Sequence, residues 1–100
     1  MRKIEFTLKA EKSFENILSH LEGKWSLKRK IDFLKKFNKS ILAIQLYPES
    51  FPISEKFKTV RKCVLTKQTT FYYVFNSKVI TIISVFDTRQ DPNKIKKDIK

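Results

Sequence analysis

Hydrophobic positions along the chain change period once, near residue 48, and the change separates a helical half from a strand half. Arg2-Lys3-Ile4-Glu5-Phe6 alternates polar and apolar side chains, which predicts a short strand with Ile4 and Phe6 inward. Thr7 can then cap a helix, with Glu11 near the positive end of its dipole. Phe14, Ile17, Leu18 and Leu21 stand at i, i+3, i+4 and i+7, one apolar stripe of that helix. Gly23 is expected to end it in a left-handed conformation. Ser26 is placed to cap a second helix, which Pro48 stops. Its stripe reads as Leu27, Ile31, Leu34, Ile41 and Leu42, widened by Phe33, Phe37 and Ile44. Only Gly23 to Trp25 joins the two helices, so they are expected to lie antiparallel as a hairpin.

Pro48-Glu49-Ser50-Phe51-Pro52 breaks the regularity, and the segment through Thr59 reads as a loop. Val60–Leu65, Thr70–Phe75 and Val79–Phe86 are then rich in β-branched and aromatic side chains. Lys67-Gln68-Thr69 and Asn76-Ser77-Lys78 separate them, short enough for a meander of hairpins. Strands 70–75 and 79–86 are apolar on both sides: Phe71, Tyr73 and Phe75 alternate with Tyr72 and Val74. A sheet covered by helices on one face does not need this. Its second face is expected to meet a partner or to serve as a site. Asp91-Pro92 reads as the cap and first turn of a short terminal helix, too short and basic to persist without a partner. With no repeat or long linker, residues 1–100 are expected to form one domain.

Charge narrows the class of partner. The chain carries 22 Lys+Arg against 10 Asp+Glu, a formal net charge of +12, which favours nucleic acid, ribosome or an acidic protein. Lys28-Arg29-Lys30, Lys35-Lys36 and Lys39 on the second helix are either a solvated face or part of that attraction. The single Cys, His and Gly exclude an internal disulfide, a multi-Cys metal site, paired-His motifs, a Walker loop and a dinucleotide fingerprint. No cofactor is expected. Catalysis would rest on Lys, Arg, Tyr and carboxylates. The apolar run Val79–Phe86 is far short of the ~20 residues a membrane helix needs, and no secretory pattern follows Met1-Arg2-Lys3. With its unpaired thiol the chain reads as soluble and cytoplasmic, without a membrane partner. Cys63 reads as a small buried hydrophobe, His20 as a surface residue and Trp25 as a packing anchor.

The order strand, helix hairpin, three-strand meander and basic tail resembles the RelE/ParE superfamily of toxins from type II toxin–antitoxin systems. The residues that carry the resemblance are Val60-Arg61-Lys62-Cys63-Val64-Leu65, Phe71-Tyr72-Tyr73-Val74-Phe75 and Ile82-Ile83-Ser84-Val85-Phe86-Asp87-Thr88-Arg89-Gln90-Asp91-Pro92. Ala10, Trp25 and the Tyr47-Pro48…Phe51-Pro52 turn also sit where relatives place similar residues. The resemblance implies an α+β domain, with a helix hairpin on a mostly antiparallel sheet, and a cognate antitoxin that wraps the toxin in a hetero-oligomer. The order of helices and strands is compatible with that class. It also implies one of two targets. RelE-like members cleave mRNA on the ribosome without metal, and ParE-like members poison DNA gyrase.

Metal-free RNA cleavage needs a base for the 2′-hydroxyl, a donor for the leaving oxygen, and cations on the phosphorane. By the resemblance, Arg61 matches one basic position, Cys63 and Thr70 stand where others are expected, and Arg89 lies near a third. No Tyr or His follows Arg89. The reading therefore leans to the gyrase branch, with Arg61 and Arg89 as catalytic residues in the nuclease alternative. Target or nucleic-acid contacts are expected from Arg61, Lys62, Lys67, Arg89 and Lys94, and antitoxin contacts from Tyr72, Val74 and Phe86. Arg61 has a plainer reading as a partner of Asp87 or Glu55, and a non-toxic nucleic-acid-binding domain remains compatible with the composition.

Overall fold

Thr7 ends the first strand and starts the first helix. The structure is a computed structural model that describes residues 1–24, 26–55 and 57–87, with 20–24 described by backbone alone. The first strand, β1 (Lys3–Phe6), runs into α1 (Leu8–Lys24), where Thr7 Oγ1 accepts from the Ala10 N–H at 3.1 Å. The second helix, α2 (Leu27–Leu46), is capped by Ser26, whose Oγ accepts from the Arg29 N–H at 3.3 Å. A 3-10 turn over Pro48–Ser50 follows. The meander comprises β2 (Arg61–Val64), β3 (Thr69–Phe75) and β4 (Val79–Asp87). Gly23 does not end α1, which continues through it to Lys24. An interior glycine costs a helix only about 1 kcal/mol relative to Ala, so the reversal falls after Lys24. Trp25, the His20 side chain, Arg89, Lys94 and the helix expected beyond Asp91 lie outside the described residues.

The strands are ordered β1-β4-β3-β2, and β1 joins β4 in parallel, with Ile4 opposite Ile80 and Phe6 opposite Ile82. The remaining pairs are antiparallel. Local chemistry shapes both hairpins. Asn76 Oδ1 accepts from the Lys78 and Val79 N–H groups at 2.8 Å each, and Thr66 Oγ1 accepts from Gln68 and Thr69 at 3.2 and 3.1 Å. The segment after Pro52 is more than a loop. Ile53 bridges Arg61, and the Lys62 N–H reaches Pro52 O at 2.9 Å, so the chain folds back along the free edge of β2 and shields it.

Both helices pack on one face of this sheet. Phe71, Tyr73, Ile80, Ile82 and Val85 supply its floor, each at most 1% exposed. The register shift opposite Tyr72 and Tyr73 places an extra residue, Ile83, in β4. That bulge lets Ile82 and Val85, three positions apart, face the helices together. Phe37 is the hub above them, 4.6 Å from Phe14, 5.5 Å from Phe71 and 6.3 Å from Phe6, ring centre to ring centre.

Phe37 also corrects the expected stripe of α2. The inward positions are Phe33, Phe37, Ile41 and Ile44. Leu27, Ile31, Leu42 and Leu46 are instead 72%, 43%, 47% and 48% exposed. The helix is apolar on two adjacent flanks, and the flank bearing the rings faces the sheet because it buries more area.

Candidate functional site

Alternation along β2 decides which side chains can meet a partner. Arg61 pairs with Tyr73 and Cys63 with Phe71, both on the helix-covered side, whereas Lys62 pairs with Tyr72 and Val64 with Thr70 on the outer side. Arg61 is therefore turned away from the open face. Its Nη1 donates to Phe51 O at 2.7 Å and to Glu49 O at 3.1 Å, and its guanidinium lies 5.8 Å from the Phe75 ring centre. Arg2 approaches the same ring at 5.7 Å and donates through Nε to Asn76 O at 2.9 Å. Neither carboxylate expected beside Arg61 takes that place. Asp87 is level with Thr69, four residues along β3 from Tyr73, or roughly 13 Å at 3.3 Å per residue. Glu55 acts on Tyr72 instead.

Cys63 and Tyr73 continue the inward row. Burial pushes the Cys63 thiol up, and a hydrogen bond with Ser40 offsets only part of that, so the sulfur stays an inert thiol. The Tyr73 hydroxyl donates to Pro48 O at 2.7 Å. Burial, with a smaller contribution from Cys63, pushes its pKa above the ordinary tyrosine range. Tyr73 and Arg61 thus both anchor the turn after α2, one through Pro48 and the other through Glu49 and Phe51.

On the outer face the structure brings Tyr72, Val74 and Phe86 together. Lys62, Tyr72 and Ser84 form one cross-strand row, and Val64, Thr70 and Phe86 form the next. Tyr72, Val74 and Phe86 are half-buried rather than bare, while Val64 is 63% exposed. The Tyr72 hydroxyl is also held protonated, chiefly by burial and then by the negative charge of Glu55. Among the described residues of β2–β4, Lys62 is the one cation on this face. Lys67 is exposed in the β2–β3 turn. Among the described residues no three His, Cys, Asp or Glu side chains converge to hold a metal.

Sequence reasoning did not join the basic run of α2 to the β2–β3 turn. In the fold, Arg29, Asp32, Phe33 and Lys36 line one side of an open cleft of about 270 Å³, and Thr66 and Gln68 line the other. The available signal was the i, i+3, i+7 spacing of Arg29, Asp32 and Lys36, which puts them on one helix face. The turn that completes the cleft is some thirty residues away in sequence, so local pattern could not supply it.

Comparison with known proteins adds an independent line. Residues 4–92 match the family model described as "ParE toxin of type II toxin-antitoxin system, parDE". A chain from the chromosomal ParDE TA system of P. aeruginosa superposes with a TM-score of 0.70 at 15% identity, covering 87% of this chain and 96% of that one. A copper-bound mutant toxin from Helicobacter pylori gives 0.64 at 15% identity, with 89% and 97% covered. The YoeB/ParE toxin from Agrobacterium tumefaciens gives 0.60 at 13% identity, with 85% and 96% covered. At these identities the likeness is one of fold. No curated protein sequence matches the chain.

Proposed function

The chain belongs to the ParE toxin family of type II toxin–antitoxin systems, and on that premise we propose that it arrests growth by stalling DNA gyrase rather than by cutting RNA. The observation that carries this reading is the orientation of β2. Arg61, a candidate for stabilising a cleaved phosphate, is turned to the helix side and committed to the carbonyls of Glu49 and Phe51. Cys63 is buried beside it. Lys62 is left as the outer-face cation of the described β2–β4 residues, and one ammonium is poor support for a developing phosphorane. A protein-binding inhibitor has no such requirement.

A cognate antitoxin is the partner that goes with this assignment. Tyr72, Val74 and Phe86, half-buried on the outer sheet face, are the contacts we assign to it there, and the exposed flank of α2 offers Leu27, Ile31, Leu42 and Leu46. Apolar surface of that kind is covered by a partner in a stable complex. Among the described residues no helix is long and apolar enough to cross a membrane, and action on a cytoplasmic target fits that composition.

The ribonuclease alternative keeps one specific support. Lys62 stands across from Tyr72, on which Glu55 acts, so a cation, a proton donor and a carboxylate share one region. Inducing the chain alone, with replication and translation labelled separately, distinguishes the readings. Early loss of DNA synthesis with gyrase–DNA cleavage complexes, translation being intact, is the expected result. Codon-phased transcript cleavage that disappears in Lys62→Ala would overturn it in favour of the nuclease. Undisturbed growth would favour a non-toxic nucleic-acid-binding domain.

A further inference from the structure

The cleft between α2 and the β2–β3 turn is separate from the outer sheet face, since α2 covers the opposite side of the sheet. We propose that this cleft is where the toxin grips an acidic polypeptide segment of the protein it inhibits, an inference that rests on the protein-inhibitor reading above.

Arg29 and Lys36 stand on its helical wall, seven residues apart, or about 10.5 Å at 1.5 Å per residue. Carboxylates four residues apart on an extended segment share one face and stand about 13 Å apart, a span that the long Arg29 and Lys36 side chains can cover from backbone positions about 10.5 Å apart. Thr66 and Gln68 form the facing wall, and Lys67 between them is exposed. Thr66 Oγ1 already accepts from two backbone amides of the turn, which holds that wall in place.

Asp32 separates a peptide from a nucleic acid as occupant. It lines the cleft together with Arg29 and Lys36, and no ion pair within 4.0 Å joins it to either among the described residues. A run of phosphates along this wall would meet the carboxylate. A polypeptide instead presents backbone N–H groups, for which Asp32 is an acceptor. Phe33, 3% exposed, closes the floor. A net charge of +12 would speed encounter with such a segment and make the association salt-dependent.

The test uses the full chain carrying Arg29→Glu and Lys36→Glu, with Lys67→Glu as a separate single variant. Binding is measured to gyrase holoenzyme, to the cognate antitoxin and to a short DNA duplex. The expected result is a loss of gyrase affinity of roughly 30-fold or more for the double variant, mostly in the association rate. Lys67→Glu should give a smaller loss. Both variants should keep the wild-type circular dichroism and thermal midpoint, which shows that they are folded. An equal loss of affinity for the antitoxin would overturn the cleft in favour of a general charge effect. Unchanged gyrase affinity of the double variant would overturn the cleft while leaving gyrase as the target. Equal loss toward the bare duplex would make the cleft a phosphate track and overturn the peptide. A wild-type chain that does not bind gyrase would overturn the target and the cleft together.

Discussion

Replacing Arg61 by Ala separates a structural role from a catalytic one. The side chain holds the turn after α2 through two hydrogen bonds, 2.7 Å to Phe51 O and 3.1 Å to Glu49 O, and stacks on Phe75 at 5.8 Å. A hydrogen bond to a charged group contributes about 1.5–3 kcal/mol, but the bond to Glu49 is exposed, so water replaces most of it. An exposed cation–π contact adds about 0.5–1 kcal/mol. The expected loss is therefore about 2–3 kcal/mol, a large part of the stability of a domain this size. With a urea slope on the order of 1–1.5 kcal/mol/M, the midpoint should fall by about 2 M. Arg61→Lys keeps the charge but cannot fork to two carbonyls, and should recover less than half of the loss. The assay is urea unfolding followed by far-UV circular dichroism, beside growth arrest normalised to the soluble toxin. Arrest should decline only as folded protein declines, and should return when the culture is cooled. A variant with the wild-type midpoint and no toxicity would refute this reasoning and make Arg61 part of the chemistry.

Three further outcomes follow from the packing and from the burial of ionisable groups. Phe37→Ala removes the ring that joins α1, β1 and β3 and should cost about 3–5 kcal/mol, read as loss of the cooperative thermal transition. Cys63 and Tyr73 have folded-state pKa values raised above 9.0 and 10.0, so the native chain holds protons that the unfolded chain releases. Stability should be full below about pH 9 and fall as pH rises through these values, more gently in Tyr73→Phe, and a urea midpoint that climbs with alkali would contradict this. Cys63, 2% exposed, should react with a thiol reagent in the native chain only as fast as the domain opens; rapid native labelling would mean that β2 is not covered as described.

Much of the fold was legible because it is encoded within a few residues. Thr7 and Ser26 cap helices that begin where their hydroxyls can meet the free amides. Pro48 closes α2, and Asn76 turns the last hairpin with its own carboxamide. The opposite orientations of Tyr72 and Tyr73 follow from the two-residue period of a strand. That Tyr72 and Val74 share a face was readable for the same reason, and the register of β3 with β4 adds Phe86 to that face.

Amino-acid order by itself determined where the period changes, which residues cap and turn, and that two strands are apolar on both sides. Tertiary structure decided which of two equivalent faces each element buries. Arg61 and Lys62 are alternatives by parity, and the side on which the helices settle sends Arg61 inward and Lys62 outward. The flanks of α2 are both apolar, and the sheet takes Phe33, Phe37 and Ile44 while Leu27 and Ile31 remain in solvent. Pairing of β1 with β4, the bulge at Ile83 and the cleft that Arg29 and Gln68 both line join residues distant in sequence. A local pattern can specify a periodicity, but the choice of face depends on the area every other element buries against it.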